Sequence, residues 1–404
     1  MWPGEDGGPT RRQAPTGGAG LDLQPDEQLQ TTSRDAFAAT MLVHRDPGEV
    51  FLLTHTMGPD TVARLERIDP VSLEPIASSP DLAGGPMWPG GLAAHANGSM
   101  YVVYGRHAHR LDPDCTPRKS IVLPRERPYN SFVILPDGCI ATKDFAKDGA
   151  QPSELLVLEP DGLEIVGRLP LPERSIARLS ADRSTIYVVG DASLLRAEWS
   201  DERLELDDGF LPRYRTRPGQ TYGWDAVLDA GAAWFLDNGE GSERYAGSHR
   251  GQGISEAPLQ LIRVDLTTGA VTAAEICGLP RGLVANPPAI DPERNIAVGF
   301  DASNGVLAAF RFDDAGALTP LWSRPQHHAG HMLRYPTSGE LVTGDHDADR
   351  GVEQVVVLDI ETGAERARID TTSPVQAVIF PAPGLGRDFY WLTFSTVTRL
   401  AAPG

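Results

Sequence analysis

The sequence predicts an all-β fold made from one repeated four-stranded unit, a single β-propeller, and three observations carry that prediction. Short apolar strands return with turn signals between them at a period of roughly 40 to 50 residues, the span of a propeller blade. The 404 residues include 42 Gly and 34 Pro, a density of chain breakers foreign to helical bundles. Between the strands, no stretch carries the periodicity of a long amphipathic helix.

From the N-terminus, residues 1–33 are rich in Gly, Pro, Thr and Gln and contain no apolar run of signal-peptide type. They are expected to form a disordered or partly ordered lead-in to a propeller domain spanning 34–404. Arg11-Arg12 has the look of a twin-arginine signal, but Gln13-Ala14-Pro15-Thr16-Gly17 follows where an apolar segment is required. Repeats then begin near Phe37, Gly91, Asn130, Ser175, Gly223, Leu283, His331 and Val375. In the clearest repeat, Asn130–Leu135, Cys139–Asp144, Ser153–Glu159 and Leu163–Leu169 are strands. Pro136-Asp137-Gly138 and Asp161-Gly162 supply the turns. His331–Tyr335, Glu340–Asp345, Gln354–Asp359 and Ala364–Ile369 repeat the grammar. The last unit shows three strands, and Leu21–Gln30 is the expected closing partner. The count is seven or eight blades, with eight favoured.

The Pro-Asp-Gly turns, Val357-Leu358-Asp359-Ile360-Glu361-Thr362-Gly363 and the related Arg263-Val264-Asp265-Leu266-Thr267-Thr268-Gly269 resemble the YVTN and quinoprotein-like propeller repeats over most of the chain. These phrases are structural and imply no substrate. The SMP-30/gluconolactonase and strictosidine-synthase-like propellers are the enzyme groups of nearest similarity, without a residue-by-residue match to their metal ligands. The resemblance implies lactone or ester hydrolase, lyase or isomerase chemistry. A quinone-cofactor oxidoreductase and a non-catalytic scaffold binding a protein or small ligand are the alternatives.

A formal net charge of −19 opposes a general nucleic-acid or anionic-membrane surface and favours a neutral or amine-bearing small molecule. Cys115, Cys139 and Cys277 show no CxxC spacing, as suits reduced thiols and a cytoplasmic location. No run is long enough to span a bilayer as a helix.

In a propeller, the connections entering each inner strand share one face with those leaving the second strand. On the other face this sequence places plain turns such as Asp46-Pro47-Gly48 and Ala96-Asn97-Gly98. The shared face carries the chemistry. Its aromatic and amide residues, Trp88, Tyr129, Asn130, Tyr222, Trp224, Asp237, Asn238 and Asn286, are candidate ligand contacts. Asp225, Asp301 and Lys143 are candidate acid–base groups. His328, His331 and His346 flank one hairpin and form a candidate nest for a divalent metal, Zn, Fe, Mn or Cu. Asp and Asn at such positions also cap turns, and buried His also bonds carbonyls. The insertion 237–257, with Arg244, Tyr245, His249 and Arg250, is longer than a hairpin needs and reads as a lid or an idle surface loop.

Overall fold

Strands that end up nearest the channel are largely buried, and the outermost strands are largely exposed. Ala39–His44 is buried along its whole length and Val50–His55 nearly so, whereas Pro75–Ser78 and Pro117–Val122 are largely exposed. This gradient is that of small sheets packed face to face around an axis, since the inner strands have neighbours on both faces. In the computed structural model, which describes residues 2–17, 20–58, 61–147 and 151–403, the chain forms eight such sheets, each built on four antiparallel strands that follow in chain order in all but the last. The inner strands of blades 1 to 8 are Ala39–His44, Gly91–Ala94, Val133–Ile134, Ser180–Asp182, Val227–Asp229, Ala289–Asp291, Leu333–Tyr335 and Ala382–Pro383. Blade 1 carries an additional short strand, Leu82–Gly85, on its third.

The repeated Asp-x-x-Thr-Gly phrase is a hairpin device. Asp265 and Asp359 each accept the backbone N–H groups of the second and third residues that follow, and Gly269 and Gly363 take φ of 73° and 68°. Only glycine reaches that region at no steric cost.

Closure is eightfold. Gln30–Asp35 pairs antiparallel with Thr396–Ala401, Gln30 opposite Ala401 and Asp35 opposite Thr396, and completes blade 8 as its outermost strand. The partner expected at Leu21–Gln30 therefore lies further along the chain. Gln30–Asp35 is polar and exposed, as an outer strand should be, and it offers no apolar pattern to read. Leu21 is instead buried, and its carbonyl accepts from Arg387 Nε at 2.7 Å.

Of the disordered or partly ordered lead-in expected at 1–33, residues 2–13 and the strand Gln30–Asp35 are ordered. Residues 2–13 form an arm that makes a circuit of the channel, bonding to the inner strands or the residues just before them. Trp2 O accepts from His44 N, Pro3 O from Ala94 N, Pro9 O from Ala181 N, Thr10 O from Leu228 N and Gln13 O from Arg334 N, at 2.7–2.9 Å. Gln13 Nε2 also donates to Pro288 O at 2.8 Å. Inner strands leave a row of unpaired backbone groups toward the axis, and the arm satisfies them. It enters from the face of plain turns, which is therefore where the channel is closed.

Candidate functional site

With the channel closed from one side, its other mouth is a blind cavity of about 360 Å³, within the size range of small-molecule sites. Seven of the eight blades supply its walls. Phe37, His55 and Met57 come from blade 1, Trp88 from the entry to blade 2, Arg178 from blade 4, Trp224 from blade 5, Asn286 from blade 6, His331 from blade 7, and Phe380 and Phe394 from blade 8. The lining is mainly apolar. Trp88 stacks on Phe145 with ring centroids 4.3 Å apart and lies 6.5 Å from Trp224.

Beneath the cavity lies a buried charge cluster that sequence reading missed, because half of it belongs to the arm. Arg11 pairs with Glu5 and with Asp6 Oδ2 at 2.7 Å, and lies 3.7 Å from Asp225. Burial alone lowers the guanidinium's pKa, but Glu5, Asp225 and Asp6 reverse that and raise it. Arg178 pairs with Glu5 at 3.1 Å and donates to the carbonyls of Pro89, Gly90 and Asn130, with Phe380 4.8 Å across its plane. His331 stacks on Phe380 at 3.9 Å and turns Nδ1 to within 2.9 Å of Asp6 Oδ1. That approach lacks hydrogen-bond alignment, and neither atom has another hydrogen-bond partner. Burial pushes the Asp6 carboxyl up, and the facing His331 and Arg11 outweigh it and pull it below its ordinary value, so Asp6 is ionised.

The long insertion is a docked lid. Tyr245 Oη donates to Gln376 O at 2.7 Å, His249 N to Gln376 Oε1 at 2.8 Å, and Gln376 N to Gly247 O at 2.8 Å, so a loop from blade 5 is tied to the entry of blade 8 across the mouth. Tyr245 and His249 line the cavity. Burial pushes the His249 imidazole down to about 4, leaving it neutral. Arg244 is more than half exposed and Arg250 is exposed. Glycine is required at 253, where a Cβ would overlap the carbonyl of Arg281.

Of the residues singled out from sequence as ligand contacts, Trp88, Trp224 and Asn286 line the cavity. Tyr129 is wholly buried beside Asp144, and Asn130 donates to Ile176 O at 3.4 Å. Tyr222 lies under Arg174, 5.3 Å from its ring centre. Asn238 bridges Thr221 N and Ala257 O.

The second-strand exits explain the recurrent aspartates. Asp144 accepts from Glu154 N at 2.5 Å, Asp237 from Gln260 N at 2.7 Å, and Asp345 from His327 N at 2.7 Å. Asp301 accepts from Leu283 N, Ser303 N and Asn304 N. All four act as backbone acceptors, the turn-forming role of short polar side chains. Asp301 and Lys143 therefore sit outside the cavity wall. Lys143 Nζ, fully buried, donates to Ser175 O at 3.1 Å, and burial pushes its pKa down to about 8. Asp225 lies below the cavity and accepts from Arg178 N at 2.6 Å.

The three histidines expected to share a metal are directed to different partners. His328 Nδ1 accepts from Gly344 N at 2.9 Å with its ring edge-on to Phe300, His331 faces Asp6, and His346 Nε2 lies 3.3 Å from Pro374 O. Among the described residues, no three His, Cys, Asp or Glu side chains come together as a ligand set. The hairpin does bring the segments together, but the side chains diverge from it.

No protein-family model matches the chain, and no curated protein sequence matches it. Solved structures of similar shape are β-propellers. The quinohemoprotein alcohol dehydrogenase ADHIIG from Pseudomonas putida HK5 is 10% identical, covering 99% of this chain and 80% of its own, with a TM-score of 0.66. BamB from Moraxella catarrhalis is 12% identical, covering 91% of this chain and 100% of its own, with a TM-score of 0.58. The designed protein Ika8 is 10% identical, covering 90% and 96%, with a TM-score of 0.59. Identities this low establish a shared fold and nothing finer.

Proposed function

We propose that the protein is a small-molecule enzyme whose site is the blind cavity at the channel mouth, with His331 as its acid–base group. The observation that carries this reading is the combination of a lidded aromatic cavity with an imidazole on its floor backed by an ionised carboxylate. A histidine oriented by a carboxylate is a recurrent device for moving protons, and in ligand-free sites the alignment is often loose. Proton abstraction, as in an isomerase or lyase, or activation of water against an ester or lactone would use the same group. The divergent histidines do not fit a resident metal, and no step is routed through one.

A redox reading with a quinone cofactor finds less support. The carboxylates of such a cofactor call for cations free to pair, and Arg178, the cavity's own cation, is engaged by Glu5 and three carbonyls. A scaffold reading draws on Phe37 and Met57, which are 68% and 52% exposed at the rim.

The test is a panel of aryl esters, lactones and enolisable ketones followed by NMR in deuterated water, with wild type and His331→Gln in parallel. Turnover or deuterium incorporation that falls by about 10²-fold or more in the variant supports the reading, in line with the usual contribution of a general base. Turnover that survives the substitution overturns the role given to His331.

A further inference from the structure

We infer that His249 of the lid presents a ring N–H to the cavity, and that the site takes a flat, largely apolar molecule whose carbonyl or carboxylate oxygen accepts from it. The inference rests on the channel-mouth reading and names the ligand's polar group. It starts from a lid residue whose backbone is pinned on both sides and whose side chain bonds to nothing.

His249 N donates to Gln376 Oε1 at 2.8 Å, and the His249 carbonyl accepts from Gln252 N at 3.2 Å. The imidazole meets Tyr245 edge-on with ring centroids 5.2 Å apart, and Tyr245 meets Phe394 in the same way at 5.7 Å. The residue is 2% exposed and lines the cavity, yet neither ring nitrogen makes a hydrogen bond. Neighbouring wall groups are spent on the protein: Tyr245 Oη on Gln376 O, Ser395 Oγ on the hydroxyls of Ser373 and Thr393, and Arg178 on Glu5 and three carbonyls. A buried polar side chain without a partner is uncommon in a folded protein, and one set in a cavity wall is explained by what the cavity binds.

The two nitrogens differ. Nδ1 is enclosed by protein, and a proton there would be a buried donor with no acceptor, the rarer of the two defects, so the proton belongs on Nε2, the nitrogen that is not enclosed. Burial alone acts on the imidazole and keeps it neutral. The lid thus offers one fixed donor, and the complementary atom is an acceptor. Such a neutral imidazole also suits a carbonyl oxygen on which negative charge develops, since it donates a hydrogen bond without giving up its proton.

Charge admits either form of that oxygen. Lys147 Nζ stands 5.7 Å from the centre of the Trp88 ring and has no ion pair among the described residues. Glu243, the acidic side chain of the wall, lies 4.0 Å from the Arg244 guanidinium. A carboxylate would draw on Lys147 as well as His249, and a ketone, ester or lactone on His249 alone.

The experiment titrates the full chain with three probes of one shape: acetylnaphthalene, isopropylnaphthalene and naphthoate. In His249→Phe, which keeps a ring against Tyr245, the affinity of acetylnaphthalene relative to isopropylnaphthalene should fall about five- to ten-fold, the worth of one well-placed hydrogen bond. In Tyr245→Phe, which removes one tie of the lid and leaves the imidazole, that ratio should hold. The carbonyl stretch of bound acetylnaphthalene should lie lower in wild type than in His249→Phe, a shift that a purely structural His249 would not produce. Nitrogen-15 NMR of wild type alone should show His249 protonated on Nε2, with that signal moved by acetylnaphthalene and not by isopropylnaphthalene. Naphthoate separates the two sources of the oxygen: binding tighter than the ketone and weakened in Lys147→Met assigns a carboxylate, and binding weaker than the ketone assigns a carbonyl. An unchanged ratio in His249→Phe, an equal loss in Tyr245→Phe, or a proton on Nδ1 overturns the inference while leaving the site reading standing. Failure of all three probes to bind overturns both.

Discussion

Arg11 sits where Glu5, Asp6 and Asp225 meet, and all four side chains are buried. Removing the cation leaves three carboxylates out of water with no counter-charge, so Arg11→Ala is expected to cost about 3–5 kcal/mol in denaturant unfolding. A cost below about 1 kcal/mol would mean that the arm is not held there in solution. Asp237 makes a pH prediction. Burial pushes its carboxyl up to about 7, against hydrogen bonds from Gln260 and Gln220 that pull it down, while the unfolded group titrates near 3.8. Between those values the folded state binds the extra proton. The group's contribution to stability is therefore present at low pH and is lost as pH rises toward 7 and beyond. The stability-against-pH curve of Asp237→Asn should run flatter than that of wild type between pH 4 and 7, and parallel curves would contradict the assignment.

At the scale of elements, the lid and the second-strand exits show what sequence reading reached and where it stopped. Strand positions followed from apolar runs and Asp-Gly or Thr-Gly turns, because hairpins are local and their signals lie within a few residues. The eight repeat starts match the eight blades. The aspartates at 144, 237, 301 and 345 looked like site residues for the same reason that makes them structural: each lies at or near the end of a second strand and bonds a backbone N–H. Side-chain direction, which separates His331 from His328 and His346, is set by neighbouring blades and leaves no local trace. The lid was visible as excess length, but its anchor on Gln376 was not. Replacing Gln376 by Ala strands the His249 N–H and removes the donor to His327 O, at about 1–3 kcal/mol for a buried orphaned group. Limited proteolysis should then cut within 240–257 faster than in wild type. Unchanged cleavage would show that the backbone ties to Gln376 suffice.

The whole molecule is closed twice, by the Gln30–Asp35 strand at its rim and by the arm at its axis. Neither closure could be read from composition. The arm's Gly and Pro content has the profile of a disordered segment, yet its carbonyls meet N–H groups that exist only once the inner strands have assembled. The two closures should fail differently. Deleting residues 2–13 leaves eight complete blades around an open channel and should lower the thermal midpoint without causing aggregation. Deletion through Asp35 exposes the edge of Thr396–Ala401 and should cause aggregation. If the shorter deletion aggregates as readily as the longer one, the arm is part of the folding core rather than a plug on it.

The most direct test of a site at the channel mouth is a fragment screen by NMR with labelled tryptophan and histidine side chains. The account predicts that aromatic fragments shift the signals of Trp88, Trp224 and His331 together and leave Trp2, at the closed end, unmoved. Fragments that shift Trp2, or that bind without touching His331, would place the binding site elsewhere and contradict it.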